Sequence, residues 1–214
     1  MKKRAVALLL FLAACGDPSP PQVPSTSIAE DAGPRTPDFS TTDEKSWGKY
    51  HSKRFLLTIP LPDGHAWKID DHSQPSLVAV HEPTSSKLTL EMTREDELVN
   101  RAKCETRARN MGWIPSPTLT TVADDVITGP ELYDTRVWVA LDASAPGGAI
   151  EGHVYLFGAF LRQCLLVHFT TRVASSKDEA ALSARLAIAD ARVVRAIKLD
   201  PPRTTDDAVV PKQK

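Results

Sequence analysis

The sequence predicts an α+β domain built around an antiparallel β-sheet, flanked by a mid-chain helix and a C-terminal helix. Short segments rich in strand-forming residues, separated by turns that contain Gly and Pro, occupy most of residues 54–170. Helical character is confined to a mid-chain stretch and to the C-terminal region, and strands and helices do not alternate regularly along the chain. An antiparallel sheet with helices on its faces fits this order of elements.

Four strands are predicted in the first half of the domain, at residues 54–59, 65–69, 76–81 and 87–92. The turn at residues 60–64 and the loop at residues 82–86 separate them. In the last of these strands the apolar residues occupy alternate positions: Leu88, Leu90 and Met92. This alternation predicts one buried face and one face that contacts water.

The mid-chain helix is predicted at residues 94–111. Thr93 with Asp96 three residues later is typical of a helix start, and Gly112 is typical of the residue that follows a helix. The helix is mostly polar, and its apolar stripe is thin: Cys104, Ala108 and Met111.

The second half of the domain begins with four more predicted strands, at residues 118–128, 131–141, 149–157 and 161–170. Ser176 with Glu179 has the spacing of a capping box, which predicts the C-terminal helix at residues 177–189. Residues 191–199 are predicted to continue as a second helical segment, which ends before Pro201.

Residues 1–14 have the features of a secretory signal peptide, with a basic start and an apolar run too short to span a bilayer. The segment Leu12-Ala13-Ala14-Cys15 resembles the lipobox of bacterial lipoproteins. This resemblance implies that Cys15 receives a diacylglycerol and becomes the acylated first residue of the mature protein. A plain signal peptide that happens to contain Cys15 is the alternative.

The lipobox implies a bacterial cell-envelope protein that is anchored by lipid and faces the periplasm. Gly16 stands where many lipoproteins retained in the inner membrane have aspartate, which favours the outer membrane. Residues 15–45 are proline-rich and predict a lipidated, disordered tether. The folded domain is predicted at residues 46–200, and residues 201–214 are predicted to be a disordered tail.

The charge balance and the distribution of apolar residues argue against a nucleic-acid partner and against a membrane-spanning segment. The chain has 26 Lys and Arg against 27 Asp and Glu, which argues against a nucleic-acid partner. No second apolar run approaches the ~18 residues of a membrane span, so the lipid is the predicted membrane anchor. An envelope protein is a further candidate partner.

Two cysteines remain once Cys15 is lipidated, and both would lie in an oxidising compartment. A disulfide between Cys104 and Cys164 is therefore expected, and it would stabilise the fold by about 4 kcal/mol in the chain-entropy model. Two unpaired buried thiols are the alternative, because the sequence does not show how close the two residues come.

The start of the domain resembles PsbP-like domains, which occur in photosystem extrinsic proteins, bacterial lipoproteins and secretion-associated adaptors. Residues 55–60 and 62–67 are similar to the apolar strand, proline and glycine–tryptophan turn that open these domains. The extra residues His65 and Ala66 depart from that pattern. The resemblance implies the fold rather than the function, because one fold serves many roles.

Alternation divides the later strands into two faces. One face is apolar and contains Tyr133, Val137, Val139, Leu141, Ile150, Val154 and Leu156. The opposite face contains Asp134, Arg136, Trp138, Glu151, His153 and Tyr155. In one of the two possible orientations of the last strand, this face also contains Arg162, Leu166 and His168.

Aromatic, arginine and histidine side chains on one face suit a ligand or a protein partner. The candidate binding face therefore consists of Arg136, Trp138, Glu151, His153, Tyr155 and His168. The alternative is a solvated face or one that a helix covers. A bond between Cys104 and Cys164 would lay the mid-chain helix over part of it.

No metal site, cofactor or catalytic set is predicted. The histidines lack the spacing of metal ligands, and the zincin-like start at His81 is broken by Pro83. No nucleophile elbow is present, and the S-x-x-K at Ser46 lacks its companion motifs.

The predicted function is that of a non-enzymatic envelope lipoprotein that binds a protein or a small ligand. The alternative is a periplasmic hydrolase that uses the face of His153 and His168. A deep pocket that joins one of these histidines to a carboxylate would favour the hydrolase, and a helix-covered face would count against it.

Overall fold

The structure is a computed structural model that describes Phe39 and residues 44–115, 119–144 and 146–201. The predicted signal peptide, Cys15, the tether apart from Phe39 and residues 44–45, and the tail from residue 202 on lie outside the described residues. Within the described ranges, no helix is both long enough and apolar enough to span a membrane.

The described residues form ten strands and two α-helices. The strands are Gly48–Ser52 (β1), Leu57–Leu61 (β2), Trp67–Asp70 (β3), Leu77–His81 (β4), Ser86–Arg94 (β5), Thr120–Thr128 (β6), Asp134–Asp142 (β7), Ile150–Phe160 (β8), Gln163–Val173 (β9) and Lys198–Leu199 (β10). The helices are Arg101–Asn110 (α1) and Glu179–Ile188 (α2), and a π-helix, Ala189–Val194, follows α2 directly. The predicted α+β class is confirmed.

The strands form two antiparallel sheets. The small sheet has the order β1-β2-β10, and the large sheet has the order β3-β4-β5-β9-β8-β7-β6. In the large sheet Leu156 of β8 pairs with Val137 of β7 on one side and with Val167 of β9 on the other. Because neighbouring residues in register point to the same side, one face of the sheet is continuously apolar. The predicted division into two faces is confirmed.

The main core lies on this apolar face. It is completed by β2, whose Leu57, Ile59 and Leu61 are almost fully buried, and by buried residues of α2 and the π-helix such as Leu186 and Val193. Full burial of an aliphatic side chain of this size contributes about 1.5–3 kcal/mol. The core also includes Phe39, which the sequence placed in the disordered tether.

A second cluster lies on the opposite face of the large sheet, under α1. Cys104 and Ala108 of the helix are fully buried against the sheet residues Trp138 and Tyr155. A disulfide joins Cys104 to Cys164 of β9, with their Cα atoms 5.5 Å apart. The predicted disulfide and the predicted apolar stripe of the helix are therefore both present.

The start of α1 differs from the prediction. The helix begins at Arg101, because β5 continues through Thr93 and Arg94, which pair with Cys164 and Gln163 of β9. The N-cap is Asn100, whose side-chain oxygen accepts a hydrogen bond from the Lys103 backbone N–H at 2.9 Å. Pairing with a distant strand thus outweighs the local start signal at Thr93.

The C-terminal segment differs in two ways. The predicted capping box at Ser176 does not form: Ser176 lies in a 3₁₀ turn, Ser176–Asp178, and Asp178 is the N-cap of α2. The helical segment predicted at residues 191–199 ends early, because Lys198 and Leu199 pair with β2 as β10.

Candidate functional site

The structure brings most of the predicted binding face together. Arg136 and Trp138 lie on β7, Glu151, His153 and Tyr155 on β8, and His168 on β9. Tyr155 is the register partner of both Trp138 and His168, and its ring centroid lies 5.2 Å and 4.3 Å from theirs. Asp134 and Arg162, also considered for this face, lie exposed at its edge.

The aromatic half of this face is covered by α1 and by the segment that follows it. Trp138 and Tyr155 are buried, and the Tyr155 hydroxyl donates a hydrogen bond to the Trp113 carbonyl at 3.2 Å. Burial raises the pKa of the Tyr155 hydroxyl well above its usual value. These two side chains form the packing surface for α1, and they are not available to a partner.

Arg136 attaches α1 to the edge of the large sheet. Its guanidinium forms an ion pair with Glu105 of α1 and a second one with Asp124 of β6, in which Nε and Oδ1 are 2.8 Å apart. These carboxylates raise the pKa of Arg136 further above its usual value, and Arg136 lowers the pKa of Asp124. Arg136 therefore has a structural role in the fold.

The rest of the predicted face opens into a cleft beside Trp113. The cleft has a volume of about 430 Å³, and Glu151, His153 and His168 contribute to its walls. His153 Nδ1 lies 3.2 Å from His168 Nε2, whereas His153 Nε2 is buried with no hydrogen-bonding partner in the described structure. Glu151 and His168 remain partly exposed in this polar cleft, whereas His153 is only 1% exposed.

Burial controls the protonation of this histidine pair. It lowers the pKa of His153 to about 4, and burial together with the neighbouring His153 lowers the pKa of His168 to about 3. Burial also raises the pKa of Glu151. Both imidazoles are thus neutral near pH 7 and weak as bases. The described residues contain no cluster of three or more His, Cys, Asp or Glu that could hold a metal ion.

A larger and more apolar cavity lies at the ends of both sheets. Its volume is about 1040 Å³. The floor is formed by apolar side chains of the main core and its margin, Phe55, Met92, Tyr133, Phe160 and Leu199. Burial raises the pKa of Tyr133 to about 12, and its hydroxyl donates a hydrogen bond to Gln163 Oε1 at 2.7 Å. The sequence did not predict this cavity.

Two loops form the lips of the cavity. Leu56, in the turn between β1 and β2, is 47% exposed, and Leu132, in the turn between β6 and β7, is 72% exposed. Leu56 has φ 52°, and Glu131, which also lines the cavity, has φ 51°. Residues with side chains rarely adopt this left-handed conformation, and such strain is concentrated at functional sites.

Comparison with known proteins does not identify a family. No family model and no curated protein matches the chain. A protein from Bacteroides thetaiotaomicron VPI-5482 of known structure is similar, with 10% identity and a TM-score of 0.42, over 72% of this chain and 48% of that one. This chain therefore spans about half the length of that protein. The Ran-binding protein Mog1p of Saccharomyces cerevisiae is also similar, with 9% identity and a TM-score of 0.48, over 72% of this chain and 95% of that one.

Proposed function

We propose that this protein is a membrane-anchored envelope lipoprotein that acts as a non-enzymatic binding module. In this proposal the thiol of Cys15 carries the lipid, and the outer membrane is favoured over the inner membrane because Gly16 follows it. The domain faces the periplasm, where it binds a small ligand or a protein partner. The lipobox resemblance supports the anchor, and the apolar cavity supports the binding role.

The observation that carries the binding role is the cavity of about 1040 Å³ at the ends of the two sheets. Ligand pockets are concave and mostly apolar, with a few polar groups that orient the ligand, and they have volumes of roughly 300–1,000 Å³. The floor of this cavity is core-like, whereas Leu56 and Leu132 at its lips contact water. A ligand that covered these two leucines would therefore extend the main core.

A hydrolase that uses the cleft of His153 and His168 is the second candidate. Glu151 and both histidines line the same cleft, and a carboxylate beside a histidine is the arrangement that favours this function. Their pKa values of about 4 and 3 count against it, because a general base works best with a pKa near the operating pH. Turnover of a cell-wall substrate that disappears in His153→Ala would establish the hydrolase in place of the binding module.

The anchor is tested by replacing Cys15. We expect the wild-type chain to incorporate a palmitate analogue and to sediment with membranes, and we expect Cys15→Ser to do neither. An unlabelled wild-type chain, together with a Cys15→Ser chain that still sediments with membranes, would contradict the lipid anchor.

The binding role is tested with two matched double variants. The cavity variant carries Leu56→Asn and Leu132→Asn. The control variant carries Leu161→Asn and Leu98→Asn, which lie at the same end of the domain but outside the cavity lining. Leu161 has the same φ of 52° as Leu56, and Leu98 is 68% exposed, close to the 72% of Leu132. Asparagine tolerates the left-handed conformation, so neither pair adds backbone strain.

These variants are compared after purification from envelope extracts. Native mass spectrometry of the wild type should reveal a bound small molecule or a co-purifying protein, which the control variant retains and the cavity variant loses. Equal retention by both variants would place the binding site elsewhere and overturn the role of the cavity.

A further inference from the structure

The charged groups that line the apolar cavity are mostly negative. Its lining includes three carboxylates, those of Glu91, Glu131 and Asp200, against the one guanidinium of Arg54. An apolar ligand in this site is therefore surrounded by excess negative charge. The following inference rests on the proposed function, because it concerns the ligand of the same cavity.

Three of the five N–H donors of Arg54 are already occupied. Nη1 donates to the carbonyls of Asp71 and Gln74 at 3.0 Å and 2.7 Å, and Nη2 donates to the carbonyl of Pro75. The guanidinium also stacks over the ring of Phe55, 4.6 Å from its centroid. Arg54 thus holds the turn between β3 and β4, and its hydrogen bonds are not directed at an anionic ligand.

The carboxylates have unused acceptor capacity. Glu131 is exposed at the lip, and its carboxylate has no hydrogen-bonding or ionic partner among the residues that the structure describes. Glu91 accepts one hydrogen bond, from the Ser76 hydroxyl to Oε2 at 2.9 Å. Asp200 contacts His51 Nε2 at 2.9 Å from Oδ2. A carboxylate has about four lone-pair sites, so each can still accept hydrogen bonds from a cation.

We propose that the cavity binds an amphiphile with an apolar body and a cationic head group. The apolar body lies against Phe160, Met92 and the other floor residues, and it contacts Leu56 and Leu132 at the lips. The head group lies beside the exposed carboxylate of Glu131, and the other two carboxylates that line the cavity add to the attraction of positive charge. An anionic amphiphile with the same apolar body is repelled by the same carboxylates.

The test uses three probes with one chain length and different head groups: dodecylamine, dodecanol and dodecanoate. Each probe displaces the neutral apolar dye N-phenyl-1-naphthylamine from the chain below its micelle-forming concentration. The protein is the chain from position 15 onward with Cys15→Ser, so that no acyl chain of its own competes for the cavity. We expect dodecylamine to bind about tenfold more tightly than dodecanoate, and salt to narrow the difference.

Three variants separate charge from apolar contact. Glu131→Gln should reduce the preference for dodecylamine over dodecanol roughly two- to fivefold, as expected for an exposed ion pair. The cavity variant should weaken all three probes about tenfold, because two apolar side chains are lost from the lips. The control variant should bind all three probes as the wild type does.

The outcomes distinguish this inference from the proposed function. If all three probes displace the dye with equal affinity, or if dodecanoate binds more tightly, the inference of a cationic head group is overturned. The cavity remains a binding site in either case. Equal weakening in the cavity and control variants overturns the assignment of the site. If no probe displaces the dye, or the dye itself does not bind, both the inference and the binding role of the cavity are overturned.

Discussion

The disulfide between Cys104 and Cys164 is expected to hold α1 on the large sheet. The two cysteines are 60 residues apart in sequence, and closing a loop of that length stabilises the fold by about 4 kcal/mol in the chain-entropy model. Domains of this size are stable by only about 5–15 kcal/mol, so the bond accounts for a large share of the total. The double variant Cys104→Ala/Cys164→Ala should lose most of this contribution.

Urea unfolding measures the loss directly. With a denaturant slope of about 2 kcal/mol per molar, a loss of 4 kcal/mol lowers the unfolding midpoint by about 2 M. Tryptophan fluorescence is a suitable signal, because Trp138 is buried under α1 and becomes exposed when the helix detaches. Adding a reductant is the control, because it should destabilise the wild-type chain and have no effect on the double variant.

A small effect would refute this reasoning. If the double variant lost less than about 1 kcal/mol, α1 would be held mainly by other contacts, such as the ion pair between Arg136 and Glu105 and the packing of Ala108. Hydrogen exchange in α1 would then remain slow in the variant, because the helix would not detach from the sheet.

Three further perturbations have defined outcomes in the same unfolding assay. Because burial lowers the pKa of His153 and His168 in the folded state to about 4 and 3, the unfolded chain binds more protons below its ordinary histidine pKa. The free energy of unfolding should therefore have its full value above pH ~6.5 and fall towards pH 4, by about 3 kcal/mol from His153 alone. The double variant His153→Gln/His168→Gln should flatten this dependence on pH. An unchanged slope in that variant would contradict the explanation. Arg185→Met should lower the free energy of unfolding by about 2–3 kcal/mol, because the buried guanidinium donates to two backbone carbonyls, at 2.9 Å and 3.1 Å. A loss below about 0.5 kcal/mol, roughly the effect of a surface substitution, would contradict this. Gly64→Ala should lower the free energy of unfolding by about 3 kcal/mol, because the added Cβ would lie 2.3 Å from the backbone of β1. Gly148→Ala is the control: Gly148 has φ 75° and open space around it, so the loss should be about 1 kcal/mol. Equal losses would contradict the steric explanation.

The faces of the sheet could be predicted because they depend on local periodicity. In β7, Val137 and Val139 point to the core while Arg136 and Trp138 point away, and the two-residue repeat of a pleated strand determines this division. β1 was not predicted, because its sequence GKYHS has little apolar alternation. It forms by pairing with β2, a contact that no local pattern reveals.

The candidate site was predicted only in part for a similar reason. The sequence correctly grouped Trp138, Tyr155 and His168 on one face, but it could not show how much of that face α1 covers. The apolar cavity depends on how the ends of two separate sheets meet, which is a tertiary property. Leu56 and Leu132 gave no local signal, because both lie in segments predicted as strands, 54–59 and 131–141, whereas the structure has them in turns before β2 and β7.

The arrangement of the small sheet determines where a reporter protein can be attached. Gly48 of β1 pairs with Leu61, and Leu199 of β10 pairs with Leu57, so the chain joins the sheet at one end of β2 and leaves it at the other. Pro201, at the exit, borders the cavity. A fluorescent protein fused directly after Pro201 would crowd the ligand entrance, whereas one joined directly before β1 would lie at the other end of β2 and leave that entrance clear.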